Sequence, residues 1–287
     1  MSGEPPVSPL RAGASYERPH LTVPSAGVVY SHCTAEEIQD VIREEISRAT
    51  SANYNLEWKV YDHDTPPSRR DCLLTAGFEA EPLESVLVLP ASAEAVAAFD
   101  APAYEIKRIH DTQGLDDVAD ISRQIGRANA EEEKSRLALA LRDTPDELSV
   151  HVAYVDGVPV ACGRIYFREG SEFAELAGGR TKTTYRNRGL FTALVAARLR
   201  EALTKNRTHV FVDALPTSAR ILQSRGFQLV THTQPFVYPA TPRAAPSRDG
   251  PPTANRQPRL PEGDRQAHRG IRTRSLKLDP RIRLRRS

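Results

Sequence analysis

TKTTYRNRGLFTALVAARLREAL, residues 181–203, reads as a strand end, a short basic loop with one glycine, and then a helix. A loop that feeds a helix N-terminus is a physical anion site. The first turn of a helix carries backbone N–H groups with no partner inside the helix, and the macrodipole adds positive potential there. Phosphates bind well in such a place. Gly189 lets the backbone approach an anion with no Cβ in the way, and Arg186 and Arg188 add charge and donors.

The flanks extend this reading in both directions. Upstream, HVAYVDGVPVACGRIYF (151–167) is two apolar runs joined through Asp156 and Gly157, a pair that favours a tight hairpin turn. A short strand over 172–177 leads into Gly178, Gly179, Arg180 and Thr181. Downstream, Leu190, Leu194, Val195, Ala197, Leu199, Ala202 and Leu203 are predicted to share one helical face that packs on a sheet. HVFVDAL (209–215) reads as a buried strand. PTSARILQSRGF (216–227) reads as a helix stopped at Gly226, and QLVTHTQPFVY (228–238) as a last strand.

The run Arg186, Asn187, Arg188, Gly189, Leu190, Phe191 resembles the acetyl-CoA loop of the Gcn5-related N-acetyltransferase superfamily, whose pattern is Gln/Arg-x-x-Gly-x-Gly/Ala. Phe191 stands where that pattern has a small residue. The order hairpin, strand, loop, helix, strand, helix ending in Gly226-Phe227, strand is similar to that family's core, over roughly residues 103–238. The resemblance implies an α/β fold with a mixed, mostly antiparallel central sheet flanked by helices. It implies an N-acetyltransferase that moves an acetyl group from acetyl-CoA directly to a primary amine. In that picture residues 186–191 hold the pyrophosphate. The backbone at Gly179, Arg180 and Thr181 bonds the pantetheine arm, and a nearby N–H polarises the thioester.

Proton transfer needs a base within reach of the incoming amine. Glu175, on the strand entering the loop, and Asp213, at the end of the next strand, are the candidates. Glu175 equally suits a solvent-facing strand position, and Asp213 a cap ahead of Pro216. Many relatives place a tyrosine four residues before the glycine of the Gly-Phe pair to protonate the leaving thiolate. That position is Leu222, so Tyr185 or Tyr238 serves instead, or the thiolate leaves unaided. Arg180 suits a cofactor, an acidic acceptor or a neighbouring carboxylate. Phe191 and Leu222 also fit a second function, an acyl-CoA-binding or regulatory protein without transferase activity.

The N-terminal half opens its first helix with a capping box, Thr34 to Glu37, followed by the stripe Ile38, Val41, Ile42, Ile46. LEWKVYDHD (56–64) reads as a strand. Residues 66–90 read as a Pro-initiated helix, a stop at Gly77, Phe78, and a strand over 86–89. Aligning Gly77-Phe78 with Gly226-Phe227 suggests a weak internal repeat, against chance similarity of two strand-helix-strand units. This half has no anion loop, so it supplies packing and a wall of the acceptor site. The expected organisation is 1–25 without structure, 26–100 as an N-terminal module, 101–240 as the acetyltransferase domain, and 241–287 as an unstructured basic tail.

Charge supports the last boundary. The chain has 39 Lys and Arg against 37 Asp and Glu, yet residues 241–287 carry 13 against 4. The tail lacks stacking aromatics, so nucleic acid is not the favoured partner. No apolar run is long enough to span a bilayer, and Cys33, Cys72 and Cys162 lack metal-ligand spacing, so a cytoplasmic protein without metal or membrane is expected. The acceptor and the oligomeric state are left open.

Overall fold

The computed structural model describes residues 25–28 and 33–239. Of the ends expected to be unstructured, 1–25 and 241–287, residues 1–24 and 241–287 lie outside them, while Ser25 opens a strand. In chain order the elements are β1 (Ser25–Val28), α1 (Ile38–Ala52), β2 (Asn55–Tyr61), α2 (Arg69–Thr75), β3 (Glu79–Ala80), β4 (Glu84–Pro90) and α3 (Ala93–Ala97). Next come β5 (Glu105–Ile109), α4 (Thr112–Gln124), α5 (Ala130–Asp143), β6 (Leu148–Val155), β7 (Val158–Tyr166) and β8 (Phe173–Thr181). The chain closes with α6 (Leu190–Thr204), β9 (His209–Ala214), α7 (Pro216–Gln223) and β10 (Gln228–Tyr238). One sheet runs β1-β2-β10-β4-β9-β8-β7-β6-β5, with β3 also on β10. Among the described residues only β1 with β2 and β8 with β9 are parallel, so the sheet is mixed and mostly antiparallel.

Local chemistry accounts for the boundaries. The Glu37 carboxylate accepts from the Thr34 N–H at 2.9 Å, and the Thr34 hydroxyl accepts from the Glu37 N–H at 3.3 Å, which is the reciprocal capping box. Asp111 caps α4 by accepting from the Gly114 N–H at 2.8 Å. Asp156 and Gly157 have φ of 52° and 76°, as the turn between β6 and β7 requires. The helix α6 departs from expectation. It is buried around most of its circumference, Thr192 and Arg198 included, because it lies between the sheet and α3. The strand β8 also runs four residues beyond the expected 177, so Gly179, Arg180 and Thr181 are strand residues.

The two halves interleave across residue 100. The strand β4 lies between β9 and β10, and β10 lies between β2 and β4. The two Gly-Phe turns are alike: the Phe78 N–H donates to Leu73 O and the Phe227 N–H to Leu222 O, both at 3.1 Å, with Gly77 and Gly226 at φ of 93° and 100°. The offset that carries Gly77 onto Gly226 also converts the pair Val88–Gln228 into Val237–Glu79, and both pairs are formed. A local two-fold relation therefore exchanges β4 and β10. The exchange gives each of these strands a partner on both sides, where open edges would otherwise stand.

Candidate functional site

The strands β8 and β9 are parallel but pair only at Phe173–His209, Ala174–Val210 and Glu175–Phe211. Beyond Glu175, β8 stays with β7 as far as Thr181–Ala161, while β9 stays with β4 as far as Ala214–Ser85. The sheet opens between them. A register shift between Cys162 and Arg164 bends β8 there, with Gly178 at φ 60°. A Cβ on Gly178 would fall 2.7 Å from Arg164 Nη2, so this guanidinium lies directly on the strand backbone.

At the end of β8, Thr183–Tyr185 makes one tight helical turn. Asn187 at φ 61° and Gly189 at φ 84° then turn the chain into α6, whose first turn opens at Leu190. Arg186, Asn187 and Arg188 are exposed. The two arginines lie back over the loop. Arg186 Nε donates to Thr181 O at 3.4 Å, Arg188 Nη2 donates to Thr184 O at 3.2 Å, and Arg188 sits 5.0 Å from the Tyr185 ring centroid. Leu190 is buried, anchoring the helix start.

Glu175 and Asp213 share one face of the sheet, since Glu175 is level with Phe211 and Asp213 is two residues further on. The N-terminal half meets them there. Lys59 of β2 is ion-paired with Asp213 and lies 3.6 Å from Glu84 Oε2 of β4. Between β2 and β9 stand β10 and β4, a span of roughly 14 Å on a flat sheet and more than these side chains bridge, so the face is concave. Tyr61 completes the group. Burial pushes its hydroxyl up to about 12; Lys59 opposes the shift, and Asp213, Asp64 and Glu175 add to it. Tyr185 is not brought to these carboxylates. It packs with Ala153, Val160, Ala161, Leu190 and Leu194 on the α6 side.

Arg180 is resolved in favour of a neighbouring carboxylate. Its side chain is 3% exposed and its guanidinium bonds both oxygens of Glu133 on α5 and the Ser122 hydroxyl on α4. The side chain is therefore turned away from any ligand in the loop. Arg164 Nη1 also donates to Glu133, at 2.7 Å. Burial would raise the Glu133 carboxyl, but the Arg180 hydrogen bonds and the Arg164, Arg180 and Arg127 charges bring it down to about 2. Phe191 lies against β8: a Cβ on Gly179 would be 3.3 Å from Phe191 Cε2. Leu222 is 1% exposed in an apolar cluster with Leu89 and Phe227, so no polar group reaches the opening from that position.

Sequence reading missed Lys59, Tyr61 and Glu84 as site residues. The alternation in LEWKVYD does place Lys59 and Tyr61 opposite buried Trp58 and Val60, but nothing local names what they face. It also missed Glu133 and Arg164, whose meeting depends on α5 folding over β7.

The splayed parallel strand pair thus has a basic loop feeding a helix at its mouth. Residues 115–227 match the acetyltransferase (GNAT) family, and the chain contains a domain of that family. A functionally unknown conserved protein from Staphylococcus epidermidis has a similar structure, with a TM-score of 0.60 over 82% of this chain and 94% of that one at 14% identity. A tandem GNAT protein from the clavulanic acid biosynthesis pathway gives a TM-score of 0.56 over 77% of each chain at 16% identity. At these identities the likeness is one of fold. No curated protein matches the sequence.

Proposed function

We propose that the protein transfers an acetyl group from acetyl-CoA directly to a primary amine. The observation that carries this is the opening between β8 and β9 with the loop 186–191 at its mouth. The loop suits a pyrophosphate: two left-handed residues, Asn187 and Gly189, present the α6 N-terminus, and exposed Arg186 and Arg188 flank it. The exposed backbone at Gly179 suits the pantetheine arm, although the Phe191 ring narrows the approach.

In this reading Glu175 or Asp213 takes the proton as the amine nitrogen attacks the thioester carbon. The C–N bond forms, the C–S bond breaks, and coenzyme A leaves as the thiolate, with no tyrosine at 222 to protonate it. The N-terminal half, read as a diverged copy that has lost its loop, supplies the wall of the acceptor side through Lys59 and Tyr61. The reaction belongs to the cytoplasm, which suits the free Cys33, Cys72 and Cys162.

Two observations favour a second reading, an acyl-CoA-binding protein without transfer: the Phe191 ring on Gly179, and the apolar Leu222. One experiment separates the two. Acetyl-CoA is titrated into the full chain by calorimetry, and free thiol is then followed with a panel of amines. Binding with thiol release supports transfer, and binding without it supports the second reading. A folded chain that binds no acetyl-CoA refutes both.

A further inference from the structure

The segment between α3 and β5 runs past the anion loop. Pro102 and Ala101 lie over Gly189, where a Cβ would come within 3.2 Å of Pro102 Cδ and 3.8 Å of Ala101 Cβ. Two residues on, the Tyr104 hydroxyl donates to the carbonyl oxygen of Arg188, and the side chain packs against the buried cluster that contains Leu190 and Leu194. This bond has a directional consequence. In a trans peptide the C=O and the following N–H point in opposite directions. Holding the Arg188 carbonyl toward the linker therefore aims the Gly189 N–H the other way. Gly189 is the residue through which the left-handed turn enters α6, so its N–H belongs to the donor set that the helix start presents. Arg186 and Arg188 leave this carbonyl to Tyr104, because their own side chains bond Thr181 O and Thr184 O.

We propose that Tyr104 is a positioning residue for acyl-CoA phosphate binding: its hydroxyl fixes the 188–189 peptide so that the loop is set before the ligand arrives. This rests on the acetyl-CoA reading above. It also makes the linker between the two halves part of the cosubstrate site, since Tyr104 stands at the entry to β5 and α3 packs along α6. A loop already held in its bound shape loses less freedom on binding, and that is where the affinity comes from.

The test uses the full chain and Tyr104→Phe, which removes one hydroxyl and keeps the ring. Acetyl-CoA is titrated into both by calorimetry, and hydrogen exchange of the unliganded proteins is followed by mass spectrometry. The expected result is an affinity about three- to ten-fold weaker for the variant, the yield of one hydrogen bond. Faster exchange should be confined to peptides covering 186–190, with the melting temperature unchanged. Equal affinities would overturn the proposal, and so would a loss accompanied by faster exchange throughout the chain, which marks a merely structural role. If the parent chain itself binds no acetyl-CoA, the functional reading fails and this proposal with it; parent binding with an indifferent variant sinks only the role of Tyr104.

Discussion

Replacing Glu133 by Gln removes the one carboxylate that Arg164 and Arg180 share behind the bend in β8. The side chains of Glu133, Arg180 and Arg164 are 2%, 3% and 8% exposed, so water replaces little of what is lost. Breaking a buried ion pair from one side costs about 3–5 kcal/mol, because the remaining charges stay buried. The same contacts make the cost depend on pH. The Glu133 carboxyl falls from an ordinary 4.5 to about 2, a shift equivalent to about 3 kcal/mol. Since the folded value is the lower one, this stability is fully present above pH 4.5 and is lost as pH falls toward 2. By pH 3 roughly three-fifths of it has gone. Urea unfolding at pH 7 and pH 3 measures both effects. Glu133→Gln should cost about 3–5 kcal/mol at pH 7, and the gap to the parent should narrow by about 2 kcal/mol at pH 3. A cost under about 1 kcal/mol, or a gap that does not change with pH, would refute the reasoning.

Other perturbations address the opening itself. Gly189→Val places a β-branched residue at φ 84° with its Cβ against Pro102, so acetyl-CoA affinity should fall at least about ten-fold by calorimetry while the circular dichroism spectrum is kept. Undiminished affinity would remove the loop assignment. Lys59→Met leaves Asp213 and Glu84 facing each other without the ammonium, at a cost of about 2–3 kcal/mol given that Asp213 is 20% exposed. Adding Asp213→Asn should recover part of that loss in urea unfolding; strict additivity would deny the coupling. Leu222→Tyr puts a hydroxyl into the cluster around Leu89 and Phe227. It should lower stability by about 1–3 kcal/mol with no gain in thiol release, and a faster enzyme of unchanged melting temperature would contradict this.

The legible parts were those written in local chemistry. The capping box at Thr34 and Glu37, the turn at Asp156-Gly157 and the helix start at Gly189 each depend on residues within a few positions of one another. The two Gly-Phe turns were readable for the same reason, and the offset that aligns them also relates the pairs Val88–Gln228 and Val237–Glu79. Arg180 was ambiguous because its charge fits an anion or a carboxylate equally well. Its partner, Glu133, lies 47 positions away.

The amino-acid sequence by itself determined most elements from the β6–β7 hairpin to β10 and the basic loop that feeds α6, since periodicity, caps and left-handed positions act through near neighbours, while the mixed sheet was legible only through the family resemblance. Tertiary structure alone decided that β4 and β10 cross between halves and that Lys59 meets Asp213 from 154 positions away. It also decided that Tyr104 holds the Arg188 carbonyl. These contacts follow from which strand edges pair and how the sheet curves. That is a property of the whole packed chain, and no stretch of sequence carries it.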